Sequence, residues 1–466
     1  MNARLYNYCL AIKLRDYQQA LVDEIRAAAK GGHRKVLAVL PTGGGKSQII
    51  GSMVAGATDK GCRTLVLAHR SRLIRQLSGT TATWDVPHGV IAAGSSVDND
   101  FLTQVASVQS VIRRLDVMAS PDLIVVDEAH HLLPNNMWGR VLGCWPDALV
   151  VGLTATPIRS DGRGLGQAFT AMVWGPSTAE LTSMGYLAPA RVFCPPVGFD
   201  PRGIRRVRGD YDQVEASERL TVSQVLGDAV AHYERFLAGA PLLCFCSNVR
   251  HAELQAAAYR AAGVRAASVD GRTPEEEQDR ILADLGTGAL QVVTSCDLIG
   301  EGVDVPAVAG CQFLRVTASE ALHLQMMGRA LRLAPGKERA VMLDHVGNVR
   351  RLGDHLEERE WTLEGVRRRE RDGAAAISVR ECPECFAANR GGVKICDECG
   401  HVFLIPTATV QTVEGQLEEL LMEQRARKRA QGQARTMKEL IELGRQRGMK
   451  NPYGWARHVA RARHNR

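Results

Sequence analysis

Gly43, Gly44, Gly45, Lys46 and Ser47 stand in a row behind Pro41 and Thr42, and that order suits a triphosphate. A glycine-rich turn from strand into helix lets backbone N–H groups close round phosphates at the positive end of a helix dipole. Lys46 is predicted to reach the β- and γ-phosphates of ATP, and the Ser47 hydroxyl to ligate Mg²⁺. The strict pattern has glycine at its first position, where this chain has Leu40. The three glycines still supply the turn.

Asp127, Glu128, Ala129 and His130 close the apolar run Leu123–Val126. Two adjacent acids ending a buried strand are costly unless something cationic binds there. Asp127 is expected to hold Mg²⁺, directly or through water, and Glu128 to polarise an attacking water. Much later in the chain, Gln325, Gly328, Arg329 and Arg332 recur at spacings of three and four, which predicts a shared helix face. Arg329 and Arg332 would then project together towards a γ-phosphate, an arrangement worth on the order of 10³–10⁵ in phosphoryl-transfer rate. If they come from a different domain, hydrolysis reports on cleft closure.

A separate site is spelled by Cys382-x₂-Cys385, ten residues, then Cys396-x₂-Cys399. Four thiolates at that spacing close a tetrahedral Zn²⁺ site, and Gly400 suits a tight knuckle after the second pair. Disulfides, iron and a redox pair are the rivals. The gap favours a compact ribbon or rubredoxin-like knuckle. Such a module binds nucleic acid or docks a domain or partner, and the spacing leaves both open.

The elements that must position these groups are short apolar runs alternating with amphipathic stretches. Residues 35–40, 64–68, 123–128 and 149–155 are of strand length and suit parallel strands covered on both faces. From Tyr17 to Lys30, Leu21, Ile25 and Ala28 form a helical stripe that Gly31 and Gly32 stop. The alternation fades from Arg191 to about Leu226, where Pro, Gly and charge mark a linker or irregular insert. It resumes with strands at 241–246, 264–269 and 290–295 and helices at 248–262 and 274–285. The fold class is α/β, doubly wound, in two copies. The divisions expected are 1–190, a linker 191–225, 226–372, a cysteine module 378–404 and a basic helical tail 410–466. In that tail, helices are expected at Val413–Gln431 and, as helix, turn, helix, over Met437–His464.

With 466 residues, 45% apolar and 23% charged, the chain has room for two or three soluble domains. Its net charge of +7 is uneven: from Arg425 to Arg466 thirteen Lys or Arg face two acids, a net of +11, leaving −4 elsewhere. A basic tail with Tyr453 and Trp455 interleaved suits phosphates plus stacking. No apolar run spans a bilayer, the stretch Leu5–Ile12 is too short and broken for a secretory signal, and eight scattered cysteines read as reduced. A cytoplasmic location without membrane contact is expected. His131 reads as a surface or hinge residue, and the tryptophans at 138, 145 and 174 as packing.

Taken in order, these motifs resemble the superfamily 2 helicases, in particular their DEAH-type DNA-repair, restriction and phage branch, from about residue 13 to 350. The resemblance implies two tandem RecA-like parallel-sheet domains with ATP·Mg²⁺ between them. Leu14-Arg15-Asp16-Tyr17-Gln18 is similar to the adenine-reading element, with Gln18 on the base edge. The segment from Leu67-Ala68-His69-Arg70 through Gln76 and the segment Ala106–Ser110 resemble the motifs that touch the nucleic-acid strand. Thr154-Ala155-Thr156-Pro157 resembles the link from hydrolysis to strand movement. Gly300-Glu301-Gly302-Val303-Asp304 and Gln325-x-x-Gly328-Arg329-x-x-Arg332 are similar to the last two motifs, which puts Gly302 and Asp304 at the nucleotide. The activity that the resemblance implies is that of an ATP-dependent DNA helicase or translocase. An RNA helicase and an ATP-gated DNA-remodelling subunit are the alternatives. DNA is expected before RNA, and a protein partner through the cysteine module or tail stays open.

Overall fold

The apolar runs form two sheets in which every strand is parallel to its neighbours. A computed structural model describes residues 13–159, 162–195, 199–207, 209–221, 223–296, 304–366, 379–403, 434, 436–447, 449 and 452–464. Its two units are Met1–Phe403 and Leu404–Arg466. The first sheet takes β1 (Lys35–Val39), β2 (Thr64–Ala68), β3 (His88–Ile91), β4 (Thr103–Ser107), β5 (Leu123–Asp127), β6 (Leu149–Thr154) and β7 (Ala171–Trp174). Their order is β3-β4-β2-β5-β6-β1-β7. Helices Asp16–Lys30, Lys46–Thr58 and Ser71–Thr83 bury Leu21, Ile25, Ile49, Val54 and Leu77 against one face. Trp138, Val141, Leu142, Leu165 and Phe169 fill the other. Because both faces are covered, β2, β4 and β5 are buried at every residue and show no alternation.

The second sheet corrects the expected linker. Residues Ala190–Phe193 form β8, the edge strand beside the strand Ala340–Asp344. A small antiparallel hairpin of β9 (Arg206–Val207) and β10 (Asp210–Tyr211) and a helix, Gln213–Leu220, come next. Asp210 pins the hairpin by accepting from Thr317 Oγ1 (2.9 Å) and Ala318 N (2.6 Å). A four-residue strand is too short for periodicity to declare itself. With β11 (Leu242–Cys246), β12 (Ala266–Val269), β13 (Val292–Ser295), β14 (Gly310–Leu314) and β15 (Ala340–Asp344), the order is β12-β13-β11-β14-β15-β8.

After β15 the chain goes back to the first sheet's side. The hairpin of β16 (Trp361–Thr362) and β17 (Gly365–Val366) bonds to the loop after β6: Gly164 N donates to Glu364 O at 3.1 Å and Gly166 N to Leu363 O at 2.6 Å. Trp361 and Leu363 pack on the cluster that holds Leu165 and Phe169. The expected division 226–372 thus includes a hairpin that bonds to a loop of the first sheet's side. A last antiparallel pair, β18 (Val379–Glu381) and β19 (Ala388–Arg390), carries the cysteines. In the C-terminal unit the helices are Met437–Gln446 and Pro452–His464; the helix expected at Val413–Gln431 lies outside the described residues. Among the described residues no helix is long and apolar enough to cross a membrane.

Candidate active site

The phosphate loop leaves β1 and enters the helix Lys46–Thr58 through Gly43 (φ +84°) and Gly45 (φ +86°). Gly45 is required twice over. Its φ is left-handed, and a Cβ there would lie 2.3 Å from Gln18 Nε2. The segment before the first helix braces the loop, since Tyr17 Oη donates to Gly44 O at 2.8 Å and Gln18 Nε2 to the same oxygen at 3.2 Å. Gln18 Oε1 accepts from Arg15 N at 3.0 Å. The amide expected on an adenine edge is thus engaged with its own chain. Lys46 Nζ lies 3.4 Å from Leu40 O.

Across the loop, β5 ends in the acid pair. Asp127 Oδ1 accepts from Glu128 N at 3.0 Å. Glu128 has φ +50°, a left-handed backbone that costs a non-glycine residue about 1–2 kcal/mol and turns the chain sharply off the strand. His130 Nδ1 is 3.5 Å from Glu128 Oε2 and 3.1 Å from Thr154 Oγ1. Thr154 Oγ1 donates to Thr156 O (3.0 Å) and accepts from Thr156 N (3.1 Å), so its one proton is committed and His130 Nδ1 carries the other. The acid pair and the Thr-Ala-Thr segment are joined through one imidazole. His131, expected at the surface or in a hinge, is half-buried, with its ring centroid 4.3 Å from that of His130 and 4.5 Å from that of His69. Trp174, expected to pack, is 46% exposed, with its ring centroid 6.4 Å from that of Trp361.

The helix Glu320–Gly328 reaches the loop from the second domain. Gly328 allows the approach: a Cβ there would sit 2.6 Å from Thr42 Cβ. The expected shared helix face is not formed. The helix ends at Gly328, and Arg329, Ala330 and Leu331 continue in tight turns bonded to Met326, Met327 and Gly328. Arg332 therefore stands beyond the helix and shares no helical face with Gln325, which is buried. Both arginines nonetheless reach one cleft of about 360 Å³. Lining it are Thr42, Gly43, Gly45, Lys46, Ser47, Asp127 and Glu128 from one domain, and Asp304, Arg329 and Arg332 from the other. Arg332 bonds Asp304. Gly302 lies outside the described residues.

Two residues that no sequence motif marks for the cleft belong to this site. Lys337 donates to three backbone carbonyls, Val308 (2.6 Å), Ala330 (2.5 Å) and Arg332 (2.7 Å), and so clamps the arginine loop from behind. Burial lowers its ammonium to about 8. Gln76, expected at a nucleic-acid strand, lines the cleft and donates to Ser47 Oγ at 3.4 Å. On the same helix Arg75 pairs with Glu275 (2.7 Å) and Asp279 (2.8 Å), and Arg72 with Asp279 (2.5 Å), across the domain boundary. The two expected strand-contacting segments touch each other, Gln109 Nε2 donating to His69 O at 3.2 Å.

The donor set fits Mg²⁺: a hydroxyl, a buried carboxylate and a second acid whose Oε2 is buried without a hydrogen-bond partner. The four cysteines fit a metal as well, all four Sγ atoms lying within 4.8 Å of one another. Their module is docked on the second sheet. Cys382, Cys396 and Phe403 share a core cluster with Phe193 and Ala229. Cys194 N donates to Phe386 O at 2.8 Å, and Glu398 bonds Arg191 (2.9 Å) and Arg339 (2.9 Å).

Known proteins share this architecture. Residues 11–159 match the family described as type III restriction enzyme, res subunit, and residues 228–334 match the helicase conserved C-terminal domain. A 51.5 kDa protein of a Lactococcus phage (isolate 7-9) is 29% identical over 368 residues, 78% of this chain and 77% of that protein. IRC3 of Saccharomyces cerevisiae, whose name places it with the ATP-dependent helicases, is 26% identical over 355 residues, 72% of this chain and 51% of its own length. A solved fragment assigned to the HsdR subunit of a type I restriction enzyme from Vibrio vulnificus YJ016 shares the fold, with a TM-score of 0.57 at 22% identity, over 73% of this chain and 65% of that one. The chain thus spans about three-quarters of the phage protein and about half of IRC3. Fold, cleft and matches together define a nucleic-acid-dependent ATPase of the helicase type, with homologues among the superfamily 2 helicases.

Proposed function

We propose that the chain hydrolyses ATP in the cleft between its two sheets and uses the cycle of closure to move along, or unwind, DNA. One observation carries the reading: a single cavity holds Lys46, Ser47, Asp127 and Glu128 from one domain and Arg329 and Arg332 from the other. Lys46 holds the β- and γ-phosphates, and Ser47 and Asp127 hold Mg²⁺. When bound, that ion neutralises charge on the phosphate oxygens. Glu128 orients and deprotonates the attacking water, and the two arginines meet the charge that builds on the γ-phosphate. Since the arginines reach the phosphate only when the domains approach, turnover depends on closure, and His130 ties the acid pair to the Thr-Ala-Thr segment through Thr154. The DEAH spelling of the acid pair supports the DEAH-type branch, and relatives named as type I restriction endonuclease subunits support DNA as the polyanion. The four cysteines hold a structural Zn²⁺ that fixes their module on β8, and the protein works in the cytoplasm.

The test is steady-state ATP hydrolysis with no nucleic acid, with single-stranded DNA, with duplex DNA and with RNA, at one fixed low salt concentration. Stimulation by DNA above RNA is the expected result. Turnover indifferent to every nucleic acid, or stimulated by RNA alone, overturns the DNA motor.

A further inference from the structure

A separate cavity of about 410 Å³ lies beside the nucleotide cleft, with walls from both domains and no part in the phosphate chemistry. We infer that it binds an organic cation, an alkylammonium or guanidinium group, between an indole pair, a buried imidazole and a carboxylate rim. Thr42 and Thr156 come from the first domain, and Leu324, Gly328 and Leu331 from the second. Thr42 also lines the cleft that holds Lys46, and Gly328 packs on it. An occupant would therefore touch both domains next to the glycines of the phosphate loop.

Charge sets the sign of the ligand. Among the described residues the walls carry four acids, Glu180, Glu357, Glu358 and Glu360, against one cation, Arg359. That guanidinium is already engaged: it bonds Glu320 and donates to the carbonyls of Glu357 (2.8 Å) and Leu352 (2.9 Å). Glu180 Oε2 accepts from Ser177 N at 2.7 Å, whereas Glu358 is exposed and no described residue pairs with it. Such walls repel a phosphate and attract a cation.

The remaining walls narrow the class. Trp174 is 46% exposed and Trp361 half-buried, with ring centroids 6.4 Å apart and planes at 31°. An indole face attracts an ammonium or guanidinium held within about 6 Å of it. His355 is only 5% exposed, yet neither of its ring nitrogens has a hydrogen-bond partner. Burial holds its pKa below the ordinary histidine value, so the ring is neutral and keeps one acceptor nitrogen. A polar ring buried without partners is costly, and an N–H from a ligand would relieve it. Acids alone would suit any cation. The indoles and the imidazole select one that carries both N–H donors and carbon surface.

The test is titration calorimetry on the full chain at low salt, without nucleotide or nucleic acid. The probes are spermidine, agmatine and the blocked tripeptide acetyl-Gly-Arg-Gly-amide, with triethylene glycol as a neutral probe. Saturable binding of a cationic probe at one site per chain is expected. Binding of the free amines alone assigns a small polyamine, and binding of the tripeptide alone assigns a side chain of a protein partner. The W174A/E358Q variant, which changes two exposed side chains, should weaken that binding by at least about tenfold. His355→Leu should weaken it by about fivefold or more. Glu253→Gln, an exposed acid on the helix Val249–Ala261, should leave it within about twofold. No saturable binding of any cationic probe overturns the inference. So does equal binding of triethylene glycol, full displacement by equimolar Mg²⁺, or an equal effect of Glu253→Gln. The readout uses no ATP, so failure of the motor reading would leave this result standing.

Discussion

The carboxyl edge of the first sheet carries Lys46, Ser47, Asp127 and Glu128 straight into the cleft, whereas the second domain delivers Arg329 and Arg332 on a loop beyond a helix. One half is posed by strand ends and the turns that leave them. The other is posed by Lys337, whose ammonium holds that loop through three carbonyls. Inside the second sheet, polar groups are spent on packing. Tyr259 donates to Gln312 Oε1, and Gln312 Nε2 donates to Ala229 O (2.8 Å) and to His345 Nε2 (3.0 Å). His345 accepts there and is therefore neutral. The difference teaches that the first half of the site is set locally, while the second half can be lost through a residue that does not line the cleft.

The sharpest way to break the comparison is to remove the arginines. Arg329→Ala or Arg332→Ala should cut ATP turnover by on the order of 10³ or more with little change in nucleotide affinity. Wild-type turnover in both would mean that the second domain is no part of the chemistry. Glu128→Gln should lower turnover roughly 10²–10⁴-fold with ATP binding retained, and Lys46→Ala should lose nucleotide binding itself. Direct binding of a fluorescent ATP analogue separates the two.

Lys337→Met tests posing at a distance. Displacing the arginine loop by about 1 Å should cost roughly 10² in kcat with KM nearly kept. With burial holding the ammonium to about 8, the wild-type rate should also fall as pH rises through that value, and the variant should lack this limb.

Stability should take a different pH course. Burial lowers His251 to about 4 and His323 and His345 to about 3. The unfolded chain, with histidines near 6.5, takes up protons first as the pH falls. Stability is therefore held above pH 6.5 and lost below it, by about 2 kcal/mol for each histidine at pH 5. Urea unfolding at pH 7.5 and pH 5 measures this, and a flat profile would mean these rings are hydrated. The smallest effect belongs to the exposed clasp. A double-mutant cycle on Arg75→Gln and Asp279→Asn should give under about 1 kcal/mol and vanish in high salt.

How much of the molecule is legible in its sequence depends on how local each feature is. The phosphate loop, the acid pair and the cysteine spacing are each written within a few residues, and their strands announce themselves as apolar runs. Strand β8 is four residues long between prolines and charges, and nothing short of its partner β15 identifies it. The spacing of Arg329 and Arg332 points both at the cleft, but the helix it implies stops at Gly328 because the chain tightens into three-residue turns. Lys337 and Gln76 act through contacts to chain segments remote in sequence, and no periodicity encodes those. His131 reads as a surface or hinge residue because the edge-on contact of its ring with His69 needs the fold to bring β2 beside β5.

The hairpin Trp361–Val366, bonded to the loop after β6, changes the mechanics of the cleft. The covalent crossing between β7 and β8 is one fastening between the halves, and this hairpin is another. A body pinned at two separate points keeps one rotation, about the line through both pins, and loses the freedom to drift or twist. In the proposed cycle, opening would then resemble a lid on a hinge pin, swinging the arginine loop away from the acid pair along a single arc and returning it to the same seat.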